Sequence, residues 1–174
     1  LVIGDGAKLT LTANGTDGEA QGANILFRSA GNLTVGKKAE LHLNTQRNSP
    51  AISTIMGIIN ETNITLLEES TVSIKNDGRT TFGAGDGQNI IMMPWGGGTI
   101  DLGARSTLRI DATNQGISDS DVIHFWRGGT INVGKDATLD IRSDSTSPTQ
   151  YLIASTNALA TDPLNIHFSD AKKV

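Results

Sequence analysis

The chain contains no cysteine among its 174 residues, which excludes disulfides and thiolate-bound metals. That absence suits a cytosolic protein and an exported one alike. Aromatic residues are sparse at 4%, and proline occurs four times. No apolar run approaches the eighteen or so residues of a membrane span, and no signal peptide opens the chain. Basic clusters are equally scarce. Lys37-Lys38 and Lys172-Lys173 are the only doublets, and the formal charge is -4 with a pI near 5.2. Phosphate binding needs grouped lysine and arginine, so neither nucleic acid nor membrane insertion is expected.

What the chain does contain is glycine (20 residues), with threonine, asparagine and aspartate beside isoleucine, leucine and valine. Short apolar alternations broken by Asp-Gly and Asn-Gly are the mark of an all-β chain with many turns. The length suffices for one domain with a sizeable core.

The alternations repeat. LVIGDGAKLTL (1–11), LTVGKKAELHL (33–43), ITLLEESTVSI (64–74), IDLGARSTLRI (100–110) and INVGKDATLDI (131–141) share one register. Their glycine position falls at Gly4, Gly36, Leu67, Gly103 and Gly134, at intervals of 32, 31, 36 and 31 residues. Three residues later stands a small side chain each time: Ala7, Ala39, Ser70, Ser106 and Ala137. A further strand precedes each later copy, in NILFRSAG (24–31), IMGIINET (55–62), IMMPWGGG (91–98) and VIHFWRGG (122–129). Alignment on the glycine places Ile25 and Phe27, Met56 and Ile58, Met92 and Pro94, and Ile123 and Phe125 on one inward face. That face continues through residues such as Leu33, Val35, Leu41 and Leu43 in each copy.

Three short strands with one apolar face cannot bury that face alone, but stacked copies can. Equivalent positions then lie about 4.8 Å apart along the stack. The expected fold is a right-handed parallel β-helix (a β-solenoid) of about five coils, each 31–36 residues long. Residues 1–145 supply the repeated coils and 146–174 a C-terminal cap, in a single domain spanning 1–174. The segments 13–23, 44–54, 76–88 and 111–121 read as lateral loops. The chain opens inside a repeat, so it is expected to be a fragment of a longer protein.

No convincing active site emerges. Arg109, Asp111, Asp140 and Arg142 face outward, but the alignment sets Arg109 one coil from Asp140 and Asp111 one coil from Arg142. Opposite charges on neighbouring strands are ordinary sheet-stabilising pairs. Asp119 and Asp121 are weak candidates for Ca²⁺, in a loop where aspartate also serves as a turn former. His42, His124 and His167 are scattered, without metal-ligand spacing or a Ser-His-Asp arrangement. No cofactor is expected, Ca²⁺ excepted.

Binding is better served. Trp95 and Trp126 occupy the same repeat position and by alternation face outward. Such aromatics form a platform on which a sugar ring or peptide can stack, with Arg28, His124 and Arg127 as polar neighbours. The competing reading is that adjoining loops fold over both rings and bury them.

The run of G-x-I-x-V-G-x-x-A-x-L-x-I units resembles the pectate lyase-like adhesive domain of Gram-positive cell-surface proteins. GNLTVGKKAELHL (31–43), GGTINVGKDATLDI (128–141), YLIAS (151–155) and NIHFSDAKKV (165–174) carry the likeness. It implies a non-catalytic adhesion module outside the cell, held at the bacterial surface through wall-attached regions beyond this stretch. The partner would be a host or matrix glycan or glycoprotein. A Ca²⁺-dependent polysaccharide lyase and a structural spacer in a surface stalk are the alternatives. A lyase-like fold does not by itself confer lyase activity.

Overall fold

The computed structural model describes residues 1–15, 25–27, 30–47, 55–57, 61–77, 90–93, 97–113, 121–148, 150–156 and 163–169. The described residues form sixteen strands and no helix. In chain order they are β1 (Val2–Ile3), β2 (Lys8–Gly15), β3 (Ile25–Phe27), β4 (Gly31–Val35), β5 (Glu40–Arg47), β6 (Ile55–Gly57), β7 (Thr62–Leu66) and β8 (Thr71–Asp77). There follow β9 (Ile91–Met93), β10 (Gly98–Leu102), β11 (Thr107–Thr113), β12 (Ile123–Phe125), β13 (Gly129–Val133), β14 (Thr138–Ser143), β15 (Ile153–Ser155) and β16 (Leu164–Phe168).

Every third strand joins the same sheet. The first sheet runs β1-β4-β7-β10-β13-β16, the second β2-β5-β8-β11-β14 and the third β3-β6-β9-β12-β15. All pairings are parallel. The chain is therefore a β-solenoid, as its repeats require. The expected count of about five coils is not quite right, because the first sheet holds six strands against five in each of the others. Residues 146–174, expected as a cap, supply β15 and β16, which add a strand to the third and first sheets.

In the first two sheets the register is the one the glycines mark. Leu33 pairs with Ile64, Ile64 with Ile100 and Ile100 with Ile131. In the third sheet it slips. Ile25 pairs with Ile55, Ile55 with Ile91 and Ile91 with Ile123, so Met56 and Met92 share a ladder with Leu26 and His124 instead. A one-residue slip exchanges the two faces of a strand. Ile55, Ile91 and Met93 are buried there, and the ladder aligns the first two with Ile25 and Ile123, where the glycine alignment sets Met56 and Met92. Ile58 and Pro94 lie outside the described residues.

The core is a set of apolar columns running through the stack. Leu33, Ile64, Ile100 and Ile131 form one, and Leu41, Val72 and Leu108 another, all at 0% exposure. Each such side chain contributes about 1.5–3 kcal/mol of burial. The second-sheet strands run further than the alternation indicated, into residues expected to be loop. Thr45, Asn76, Ala112 and Ser143 stand in one ladder there, the first three buried.

The corner between the first and second sheets is built alike in every coil. The amide of Ala7, Ala39, Ser70, Ser106 and Ala137 donates to the carbonyl three residues back, at 3.0–3.2 Å. The third turn residue is left-handed each time: Gly6, Lys38, Glu69, Arg105 and Asp136, with φ between 56° and 65°. This is the type II requirement, met mostly without glycine. The repeated glycine serves a different need. A Cβ on Gly134 would stand 2.5 Å from the Leu102 oxygen, and one on Gly36 2.7 Å from the Asp5 nitrogen. Glycine there lets one coil sit on the next, whereas Gly4 has nothing within 4 Å. Leu67 takes this place in the third coil, half-turned to solvent.

Candidate ligand-binding site

Of the five residues expected to bind ligand, the structure describes His124, Trp126 and Arg127; Trp95 and Arg28 lie outside the described residues. The three share the end of β12 and the corner leading into β13. That corner closes tightly because Gly128 is left-handed at φ 44° and Gly129 leaves its Cβ space to the Phe125 ring. Phe125 is fully buried, which turns its neighbours His124 and Trp126 to the opposite face. Trp126 is half-buried and Arg127 is exposed.

His124 is not an open polar neighbour. It is 8% exposed and held at both ring nitrogens. Its Nδ1 lies 2.7 Å from Asp121 Oδ2, and its Nε2 lies 3.0 Å from Thr156 Oγ1. The other Asp121 oxygen accepts the Tyr151 amide at 3.0 Å. A carboxylate that accepts on both oxygens requires Nδ1 to carry a proton, and in the neutral imidazole Nε2 is then bare and accepts the threonine hydroxyl. The Trp126 ring stands edge-on to this imidazole, centroids 6.1 Å apart at 64°. The indole therefore rests against a hydrogen-bonded frame drawn from two coils.

The third-sheet register explains how distant residues meet. Phe125 pairs with Ser155, and the Thr156 amide donates to the Phe125 carbonyl at 3.0 Å. Thr156 thereby sits one coil from Trp126. Nothing in the sequence singled it out, since it has no motif and its position depends on a register that the glycine alignment misses. Asp121, a candidate for Ca²⁺, spends its carboxylate on His124 and Tyr151, and Asp119 lies outside the described residues. Among the described residues no group of three His, Cys, Asp or Glu is arranged to hold a metal ion.

The second-sheet register sets Arg109 beside Asp140 and Asp111 beside Arg142, as aligned, but the Arg142 ion pair is made with Asp140 on its own strand. Arg109 pairs with Asp140 in the ladder, with nitrogen and oxygen 3.2 Å apart. Arg142 grips Asp140 with Nε at 2.9 Å and a terminal nitrogen at 3.0 Å. The hydrogen bond from Arg142 lowers the Asp140 pKa, and the reciprocal bond raises that of Arg142. Arg142 is thus moved away from the deprotonated form that a lyase base requires. A second charged column follows the corner turns. Lys37 lies 3.8 Å from Glu68 and Lys38 3.7 Å from Glu69, while Arg105 reaches both glutamates. Hydrogen bonding from Arg105 holds Glu69 below its usual pKa.

Comparison with family models, with curated proteins and with solved structures returns no match. No helix among the described residues is long and apolar enough to cross a membrane.

Proposed function

We propose that the chain is a carbohydrate-binding adhesion module of a Gram-positive bacterial surface protein, acting outside the cell on host or matrix glycans or glycoproteins. Its coils wind as a right-handed parallel β-helix, the hand that parallel crossovers take. The observation that carries the reading is Trp126: a half-buried indole, braced by the His124 frame and followed by an exposed arginine. A flat ring of this kind stacks on the apolar face of a sugar, and an adjacent guanidinium donates to its hydroxyl or carboxylate oxygens. The likeness of residues 31–43, 128–141, 151–155 and 165–174 to the adhesive family supports the same reading.

The lyase alternative draws no support from the second sheet, where the outward arginines and aspartates satisfy one another. The test is a glycan array probed with the parent and with Trp126→Ala. The parent retains a saccharide subset, and the variant loses roughly tenfold or more in affinity, about 1.4 kcal/mol. Equal retention by both proteins contradicts the assignment. Release of unsaturated products from polygalacturonate by the parent would replace adhesion with lyase chemistry.

A further inference from the structure

The hydrogen-bonded chain beside Trp126 has a chemical capacity that adhesion does not use. We propose that Thr156, His124 and Asp121 form a hydroxyl-activating relay that cleaves carboxylic esters, with Thr156 as nucleophile. The inference goes beyond the binding role and does not rest on it.

Three observations carry it. Asp121 and His124 are shielded, with side chains 12% and 10% exposed, while Thr156 is exposed. The two links, 2.7 Å from carboxylate to imidazole and 3.0 Å from imidazole to hydroxyl, fall within the reach a base and its nucleophile require. Finally, Asp121 is fixed on its other oxygen by the Tyr151 amide, which orients the carboxylate towards Nδ1 so that the neutral imidazole presents a bare Nε2 to Thr156. Aspartate, histidine and hydroxyl here play the parts of orienting group, base and nucleophile, which are recognised by geometry and not by chain order.

The step balances within the trio. The Thr156 oxygen bonds to the ester carbonyl carbon as its proton passes to His124 Nε2. The carbon–alkoxy bond then breaks, and the imidazolium returns that proton to the departing alkoxide. Water repeats the sequence on the acyl-threonine, releasing the carboxylic acid and restoring the hydroxyl. Asp121 is a positioning residue. The Thr156 amide is committed to the Phe125 carbonyl and does not supply an oxyanion donor.

The probe is 4-nitrophenyl acetate, followed by 4-nitrophenolate release and by peptide mass mapping of the acetyl group. The expected result is acetylation of Thr156, abolished in Thr156→Val and His124→Gln and retained in Thr156→Ser. Asp121→Asn slows acylation by roughly 10²- to 10⁴-fold. Circular dichroism confirms that each variant keeps its strands, and Thr156→Val, altered at an exposed position, keeps the comparison valid if the buried variants unfold. Acetyl groups found only on lysines or the terminal amine, or undiminished release by Thr156→Val, overturn the proposal.

Discussion

At the scale of single residues, the fold depends on side chains that are missing as much as on those present. Gly129 leaves room into which the Phe125 ring packs; a Cβ there would overlap three of its ring carbons. Gly129→Ala is therefore expected to cost about 1–3 kcal/mol through displacement of a fully buried ring. Gly4→Ala, with nothing within 4 Å, serves as the control and stays within about 0.5 kcal/mol. Urea denaturation of the two variants checks the contrast. The role of the repeated glycines was only half legible in the sequence. Their spacing marked the corners, but the left-handed residue is two positions later, at Lys38, Glu69, Arg105 and Asp136. The glycine itself answers to the close passage of the coil beneath, and a single coil's sequence does not display that neighbour.

At the scale of strands and ladders, legibility followed apolar contrast. The first two sheets alternate cleanly between apolar and polar residues, so their register could be read. The third does not. Ile55-Met56 and Ile91-Met92-Met93 are apolar at every position, and alternation cannot choose between their faces. The true register runs from Ile25 to Ile55, one residue less than the first-sheet step from Leu33 to Ile64. The second-sheet strands were read short for the converse reason, since their inward positions Thr45 and Asn76 are buried but polar. The missed register also concealed the meeting of His124 with Thr156.

Charge ladders on the second sheet make stability depend on pH. Hydrogen bonds from Lys8 and then His42 hold the Glu40 carboxyl down at about 2, from an ordinary 4.5. A carboxyl depressed on folding stabilises the folded chain fully above its unfolded pKa, and that contribution disappears as pH falls through the folded value. Glu69 and Asp140 are shifted in the same direction. The urea midpoint of the parent is accordingly expected to decline as pH falls from about 4.5 towards 2. Glu40→Gln should show a shallower decline over that window. Superimposable pH profiles contradict the assigned Lys8–Glu40–His42 contacts.

At the scale of the whole molecule, three parallel sheets present surfaces of different chemistry. The first carries two polar outer columns: in one Asn63 donates to Asn32 at 3.3 Å, and in the other Asn132 donates to Asp101 at 2.6 Å. The second carries paired charges. The third ends in the corner where Trp126 and Arg127 sit beside the His124 frame. Stacking makes the first two surfaces repetitive, because each coil supplies an equivalent residue to the same column. The corner at Trp126 breaks that repetition by joining Asp121, His124 and Thr156 across two coils. Ligand recognition is expected there, where the chain departs from its own repeat. Its location is tested most directly by backbone and indole amide chemical shifts during titration with a saccharide retained on the array. The predicted result is perturbation centred on Trp126, His124 and Thr156, with Arg109, Asp140 and Arg142 unmoved. Perturbation centred on those second-sheet charges, with the Trp126 indole signal unchanged, would contradict it.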